Sequence, residues 1–393
     1  MPETKRVRGP LVVLGLAVLI LGVVGFAFTM WWSKREPRGP IMAAAPIGEG
    51  DVALLRRGFE ERGYVHLVVE DGPRQRWSEA LFGVPESPSI TRFGDHVVLR
   101  AREARGHVEV HAFDHATGEF RWRGGRGTHE TPEENPQGVP AFAERSLFAV
   151  GETLFVVVGG PSPEVITLSR TGEELGRVEL PGGEGARAAM PTGDALAIAT
   201  GDGTLRVVAR DGSVRELGAL PHGWCATNDA IYVGHANGLT RHRDGHEPEL
   251  LGDGMPIAVH ACEGEWLVVT APSGERAMQR VSDEGLAGGF ALPASLGTTD
   301  LRLVPGWLVA PCANGGFDAF ALGATEATMQ VDGADEIAFV GDVVVSRKGE
   351  TVMSGETELA VPGAQGLGVD DAHVFVWTDH TLHRFDASLR PRD

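Results

Sequence analysis

The sequence predicts an all-β chain built as a β-propeller and tethered by one N-terminal transmembrane helix. Three observations predict it: a short phrase that keeps returning, strands apolar on both faces, and an unbroken apolar run near the N-terminus. In the phrase, a Gly-Asp-like turn leads into small apolar and β-branched residues. It reads Gly94-Asp95-His96-Val97-Val98-Leu99, then Gly151-Glu152-Thr153-Leu154-Phe155-Val156, then Gly193-Asp194-Ala195-Leu196-Ala197-Ile198. Further copies begin at Asn228, Gly264, Pro305, Gly341 and Asp370. The intervals run from roughly 30 to 57 residues, the range of a repeat architecture.

The apolar run comes first in chain order. Leu11 to Met30 carries no charge and is followed by Trp31 and Trp32. About 20 such residues cross a bilayer as a helix, and tryptophans suit its interface. Lys5, Arg6 and Arg8 precede the run; Lys34, Arg35 and Arg38 follow it. It is longer than the apolar core of a signal peptide. No cysteine follows it at a lipoprotein position, and Gly25-Phe26-Ala27 is a poor cleavage sequence. The organisation expected is therefore a tail at 1–10, a membrane helix at 11–32 and a juxtamembrane linker at 33–50, rich in Pro, Gly and Ala. The propeller is expected over 51–393. A short tail before a large domain leaves the tail in the cytoplasm, so the expected location is a single-pass membrane protein with a periplasmic propeller.

From Asp51 onward no helical period appears. Strands of four to eight residues alternate with Asp71-Gly72, Thr117-Gly118, Thr171-Gly172, Asp202-Gly203, Asp211-Gly212 and Asn237-Gly238. Such dipeptides accept the positive φ of tight hairpins. Leu154 to Val158 and Trp266 to Val269 are apolar throughout, so each sheet must lie between two others. Radially stacked blades supply that environment. The second repeat shows the unit best: Ser89 to Phe93 inner, His96 to Arg102 second, His107 to Phe113 third, Glu119 to Arg123 outer. The first repeat reads as lacking an inner strand and the last as lacking an outer one. Merging those ends into a shared closing blade gives eight blades; the spacing also allows seven.

Composition narrows function. The 393 residues include 54 glycines and 24 prolines, as many short strands with tight turns require. A formal net charge of −19 repels a phosphate backbone, so nucleic acid is not an expected partner. The three cysteines, Cys225, Cys262 and Cys312, form no complete disulfide framework. Buried free thiols are the expectation, with a Cys225–Cys262 bridge as the alternative.

The stretch Ala112-Phe113-Asp114-His115-Ala116-Thr117-Gly118-Glu119-Phe120-Arg121-Trp122 resembles the repeat of quinoprotein-like (PQQ-type) β-propellers, Ala-x-Asp-x-x-Thr-Gly-x-x-x-Trp. All five signature positions are filled at Ala112–Trp122. Thr117-Gly118 makes the turn, and the Trp122 ring is placed to dock on a neighbouring blade. Other copies are eroded: Asp71-Gly72 with Trp77, Thr171-Gly172, Asp211-Gly212 and Phe385-Asp386. The resemblance implies a propeller. Its dehydrogenase branch pairs a quinone cofactor with adjacent cysteines, which this chain lacks. A second branch, the propeller subunit of the outer-membrane barrel-assembly machinery, implies a non-catalytic scaffold.

Candidate sites read as structural. His107, Glu109 and His111 share one face of a strand at a metal-binding spacing, but a solvated outer face is expected. His242-Arg243-Asp244-Gly245-His246 reads as a polar loop, and Gly201-Asp202-Gly203-Thr204 as a hairpin turn. The segment 124–140 is the longest turn-like insertion. The tryptophans at 77, 122, 224, 266, 307 and 377 read as packing residues. No catalytic, cofactor-binding or metal residue is assigned, and no Gly-x-Ser-x-Gly, His-Glu-x-x-His or Walker pattern occurs. The expected function is a membrane-anchored, non-enzymatic protein-binding or scaffold module of a bacterial cell envelope. The alternative is an enzyme or small-ligand binder using the central funnel, and it requires polar side chains converging on the axis.

Overall fold

The structure is a computed structural model. It describes residues 39–392 except 49, 59–63, 72–73, 83–87, 103–107, 126–146, 159–163, 182–185, 221, 252–256, 272, 284, 293–300, 305, 312–315, 323–328, 342 and 356. The tail at 1–10, the membrane helix expected at 11–32 and most of the 124–140 insertion lie outside the described residues. Among the described residues no helix is long and apolar enough to cross a membrane.

The returning phrase leads, in every copy, into the second strand of an antiparallel sheet. Thr153–Val158 and Ala195–Thr200 are buried along their whole length. Each phrase forms a hairpin with the strand before it and another with the strand after it. The result, among the described residues, is eight four-stranded sheets and one three-stranded sheet, each a meander pairing in chain order. We number these blades 1 to 9: 41–82, 89–124, 147–179, 186–219, 224–251, 258–291, 302–332, 336–360 and 366–386.

Nine sheets correct the expectation of eight or seven blades. The difference lies at Ile41–Gly48, part of the expected linker at 33–50, which is the inner strand of blade 1 and pairs with Asp51–Arg57. The propeller thus begins before residue 51. Its sequence, with Ala43, Ala44, Ala45 and Pro46, has linker composition for a physical reason. Inner strands converge on a crowded axis, where short side chains fit. They are also edge strands, so a proline that lacks an N–H is tolerated. Pro191 sits the same way in the inner strand Ala186–Thr192 of blade 4.

First strands of neighbouring blades touch at most junctions, including that of blades 1 and 9. The core is correspondingly divided into seams. One cluster joins blades 1 and 2 through Leu67, Trp77, Val97 and Phe113. Another joins 2 and 3 through Val110, Trp122, Val156 and Leu168. Val157, Leu196 and Ile198 join 3 to 4, and Ala197, Val207 and Ile231 join 4 to 5. Blades 5 to 9 repeat the pattern. The last seam, Leu54 and Val68 with Phe375, closes blade 9 on blade 1. Each such Val, Leu or Phe, fully buried, contributes about 1.5–3 kcal/mol. Flat faces on both sides of every sheet are therefore used, as the two-faced apolar strands require.

Among the described residues, closure does not come from a blade shared by the two termini. Blade 1 is complete, and blade 9 has its own three strands. The C-terminal tail then turns back on the third: Phe385 bridges Pro391, and Arg392 N donates to the Arg384 carbonyl at 3.0 Å. Buried Leu389 anchors that tail against blade 8. Among the described residues the last repeat lacks an outer strand, as expected; the first repeat, expected to lack an inner strand, has one in Ile41–Gly48.

Candidate functional site

Chemistry centred on a propeller axis draws on the inner strands. The inner strands that surround it read IMAAAPIG, SITRF, LFAV, ARAAMPT, WCA, AVHACE, RLV, EIAFV and GLGV. Ala43 packs toward blade 2 and Ala44 toward the blade 9 seam. These strands are rich in Ala, Val, Leu and Gly, with Thr91, Arg92, His260, Glu263 and Glu336 among them. Arg92 and His260 there have protein partners. Arg92 donates to the carbonyls of Ile47 and Gly94 at 3.3 and 3.1 Å, and His260 Nε2 lies 2.7 Å from Thr270 Oγ1. Burial lowers the His260 imidazole's affinity for a proton and raises that of the Glu263 carboxyl. The two do not form a site with a third group: no cluster of three His, Cys, Asp or Glu suited to a metal occurs among the described residues.

Cys225 and Cys262, on the inner strands of blades 5 and 6, are joined in a disulfide with Cα atoms 5.8 Å apart. This corrects the expectation of free thiols. One repeat period separates the two in sequence, and the closeness of neighbouring inner strands brings them together. Cys312 lies outside the described residues.

A chain of charges crosses the ring closure on the face carrying the turns between first and second strands. Asp51, fully buried at the start of the second strand of blade 1, has Oδ2 2.8 Å from His115 Nε2 and 3.0 Å from Arg76. Burial raises the Asp51 carboxyl, while Arg76 and His115 pull it down. Neither Asp51 oxygen receives a well-aligned hydrogen bond, so Coulomb attraction holds the carboxylate. Arg76 also meets Asp71 at 3.3 Å. On blade 9, Arg384 contacts His373 Nε2 at 3.1 Å, and His373 Nδ1 lies 3.0 Å from Asp370. Asp370 accepts the Gly50 N–H at 3.1 Å. Burial works against the Asp370 carboxylate, but the Ala372 and His373 N–H groups and the His373 ring outweigh it and hold the group below its usual range. Imidazole–carboxylate pairs can serve proton transfer. Here both are spent on tying blades 2, 1 and 9 together.

The other sequence candidates divide. His107 lies outside the described residues. Glu109 is buried, not solvated, and sits 3.6 Å from His111 and 3.7 Å from Arg123. Gly201 to Thr204 is a hairpin turn, with Asp202 accepting the Thr204 N–H at 3.0 Å and pairing with Arg206 at 2.9 Å. Trp77 and Trp122 pack in seams, as do Trp266 against Phe290 and Trp307 against Phe339. His246 is exposed in its loop, whereas His242 is 9% exposed and lines a cleft between blades 4 and 5. Sequence reasoning placed it in a polar loop; its position on a buried strand, directly opposite Ile231, is the signal that was missed.

No protein-family model matches the chain, and no curated protein matches its sequence. Solved structures match its shape. Sqt1 from Saccharomyces cerevisiae superposes with a TM-score of 0.50 at 15% identity, over 91% of this chain and 97% of that one. BamB from Moraxella catarrhalis gives 0.46 at 13% identity, over 75% and 94%. Apo AztD from Citrobacter koseri gives 0.45 at 12% identity, over 84% and 91%. At such identities the likeness concerns fold alone. By its own sheets and seams, the chain is a β-propeller.

Proposed function

We propose that this chain is a membrane-anchored β-propeller of the PQQ-repeat type that binds a protein partner in a bacterial cell envelope, without catalysing a reaction. The observation that carries the reading is the composition of the inner strands. They are rich in alanine, glycine, valine and leucine, and no cluster of three His, Cys, Asp or Glu suited to a metal forms among the described residues, where a propeller enzyme or ligand binder needs converging polar groups. The polar surface lies instead in the hairpin turns, where a second protein has access. The signature at Ala112–Trp122 supports the repeat type. The apolar run at 11–32 supports a single-pass membrane tether. The Cys225–Cys262 disulfide supports placement of the propeller on the oxidising, periplasmic side.

The test is affinity capture of the tagged full chain from detergent-solubilised membranes of its own source. A single protein recovered in constant ratio is the expected result. Recovery of the chain alone, repeated across mild detergents, refutes the binding-module reading. Labelling of an engineered surface cysteine by an impermeant reagent in intact cells tests the orientation separately.

A further inference from the structure

We infer that the cleft between blades 4 and 5 is a receptor site for a basic side chain, an arginine or lysine presented by a protein partner. The inference rests on the binding-module reading above and adds the chemistry of the contact.

The cleft opens on the turn-bearing face and encloses about 430 Å³. Its floor is Ala195, Val207 and Ile231, all buried in the seam between the two blades. Its rim carries the carboxylates of Asp194, Asp229 and Asp244, all exposed. Acidic residues alone prove nothing in a chain of net charge −19. The independent observation is His242. In the strand Gly238–His242, Leu239 faces the blade 6 seam and Arg241 reaches the Ser282 carbonyl of blade 6 at 2.9 Å. Side chains alternate along a strand, so His242 faces blade 4. It is 9% exposed, lines the cleft, and makes no hydrogen bond to any described residue. Its unpartnered ring nitrogens are not among the sealed polar atoms of the core, so a ligand in the cleft can reach them and meet their hydrogen-bonding capacity.

The remaining groups select the ligand's charge. Burial, then Arg215 and His235, keep the His242 imidazole below its ordinary proton affinity. At neutral pH it is uncharged and one ring nitrogen accepts a hydrogen bond. Asp194, Asp229 and Asp244 form no ion pair with any described residue. Some carboxylates elsewhere in the ring are matched to arginines: Glu164 and Glu174 with Arg177, Asp202 with Arg206, Glu249 with Arg241, Glu336 with Arg347. Arg215 lines the same cleft and offsets one of the three rim charges. The cleft therefore repels an anion. It offers no ligating cluster for a metal among its described residues. A long basic side chain meets all three features: its methylene stem covers the apolar floor, its cation sits among the carboxylates, and its N–H donates to His242.

The test titrates the detergent-solubilised full chain with N-acetyl-arginine amide, its neutral isostere N-acetyl-citrulline amide, and spermidine, by calorimetry. The arginine amide is expected to bind, and the citrulline amide to bind at least about tenfold more weakly. The triple variant Asp194→Asn, Asp229→Asn, Asp244→Asn lies on exposed turns and is expected to keep its circular dichroism while losing about tenfold or more in affinity for the arginine amide. His242→Gln checks the floor contact and is expected to weaken binding several-fold. No binding of the arginine amide, equal binding of the citrulline amide, or undiminished binding by the triple variant each overturns the inference. Spermidine binding more tightly than the arginine amide overturns it too, by assigning the site to a free polyamine. A partner captured equally by the wild-type chain and the triple variant refutes the cleft as its contact and leaves the binding module standing. Absence of any partner, with the arginine amide still bound through the three aspartates, refutes the module and upholds the cleft's cation chemistry.

Discussion

Trp122 of blade 2 seats its indole against Gly172 of blade 3. Its Nε1 donates to the Arg170 carbonyl at 2.8 Å, and a Cβ built on Gly172 would come 2.5 Å from the ring. Trp77 repeats the arrangement one blade earlier, against Gly118 and the His115 carbonyl at 2.8 Å. The Thr-Gly and Trp of the signature thus serve consecutive seams: the glycine of one blade receives the tryptophan of the blade before. In blade 3 the tryptophan position is Gly176, and there the Asp211-Gly212 turn of blade 4 closes directly onto the backbone. Loss of the large ring is matched by a closer approach.

Gly172→Ala should therefore destabilise the 2–3 seam twice over. Its φ of +78° strains any other residue, and the new methyl meets the indole. A loss of about 1–3 kcal/mol is expected in urea unfolding. The same change at Gly203, where nothing lies near the added Cβ, should cost only the backbone part.

Acid should weaken the turn of the clean repeat through Asp114. Its carboxylate accepts from Arg121 at 2.8 Å and from the Thr117 N–H and hydroxyl at 2.9 and 3.0 Å. These bonds, that from Arg121 foremost, hold it well below the usual carboxylate range. Because the folded value is depressed, the stabilisation is complete above the unfolded value near 3.9 and is lost as pH falls through the folded one. In Asp114→Asn, stability measured between about pH 5 and 2 should fall less steeply than in the wild type.

Thiol titration reads the disulfide directly. The unfolded, unreduced chain should show one reactive thiol, that of Cys312, and three after reduction. Cross-linking across 37 residues constrains the unfolded chain by about 4 kcal/mol on the loop-entropy model. Replacing Cys225 and Cys262 by alanine should lower the denaturant midpoint accordingly, and reductant should then have no further effect.

Arg56 supports the closing seam. It is buried, donates to the His380 carbonyl of blade 9 at 2.8 Å, and pairs with Glu70 at 3.2 Å. Burial already raises the Glu70 carboxyl. Arg56→Met keeps the apolar stem but leaves Glu70 without its cation, at a cost of about 3 kcal/mol. Hydrogen exchange should accelerate first in Asp51–Arg57 and His373–Trp377, before the seams on the far side of the ring.

What could be read in advance follows the range of the interactions. The second-strand phrases and their hairpins were legible because turn residues and strand burial are local. The inner strand Ile41–Gly48 was not, because the crowding that favours Ala43 to Ala45 exists only once nine strands meet at an axis. Glu109 looked solvated because its strand position says nothing about which blade covers it. His242 sits two residues before a Gly turn, so its composition reads as loop. Its burial depends on blade 4 lying against that face.

By itself, the sequence determined the all-β class, the repeat, the turn into each second strand and the demand that every sheet be covered on both faces. These follow from hydrogen bonds and periodicities that span a few residues. Tertiary structure alone decided the number of blades, the bond between Cys225 and Cys262, the charges that clasp blade 9 to blade 1, and the unpartnered ring of His242 beneath three aspartates. Each joins residues from different sheets, and their separation is set by how the ring closes, which no single repeat encodes.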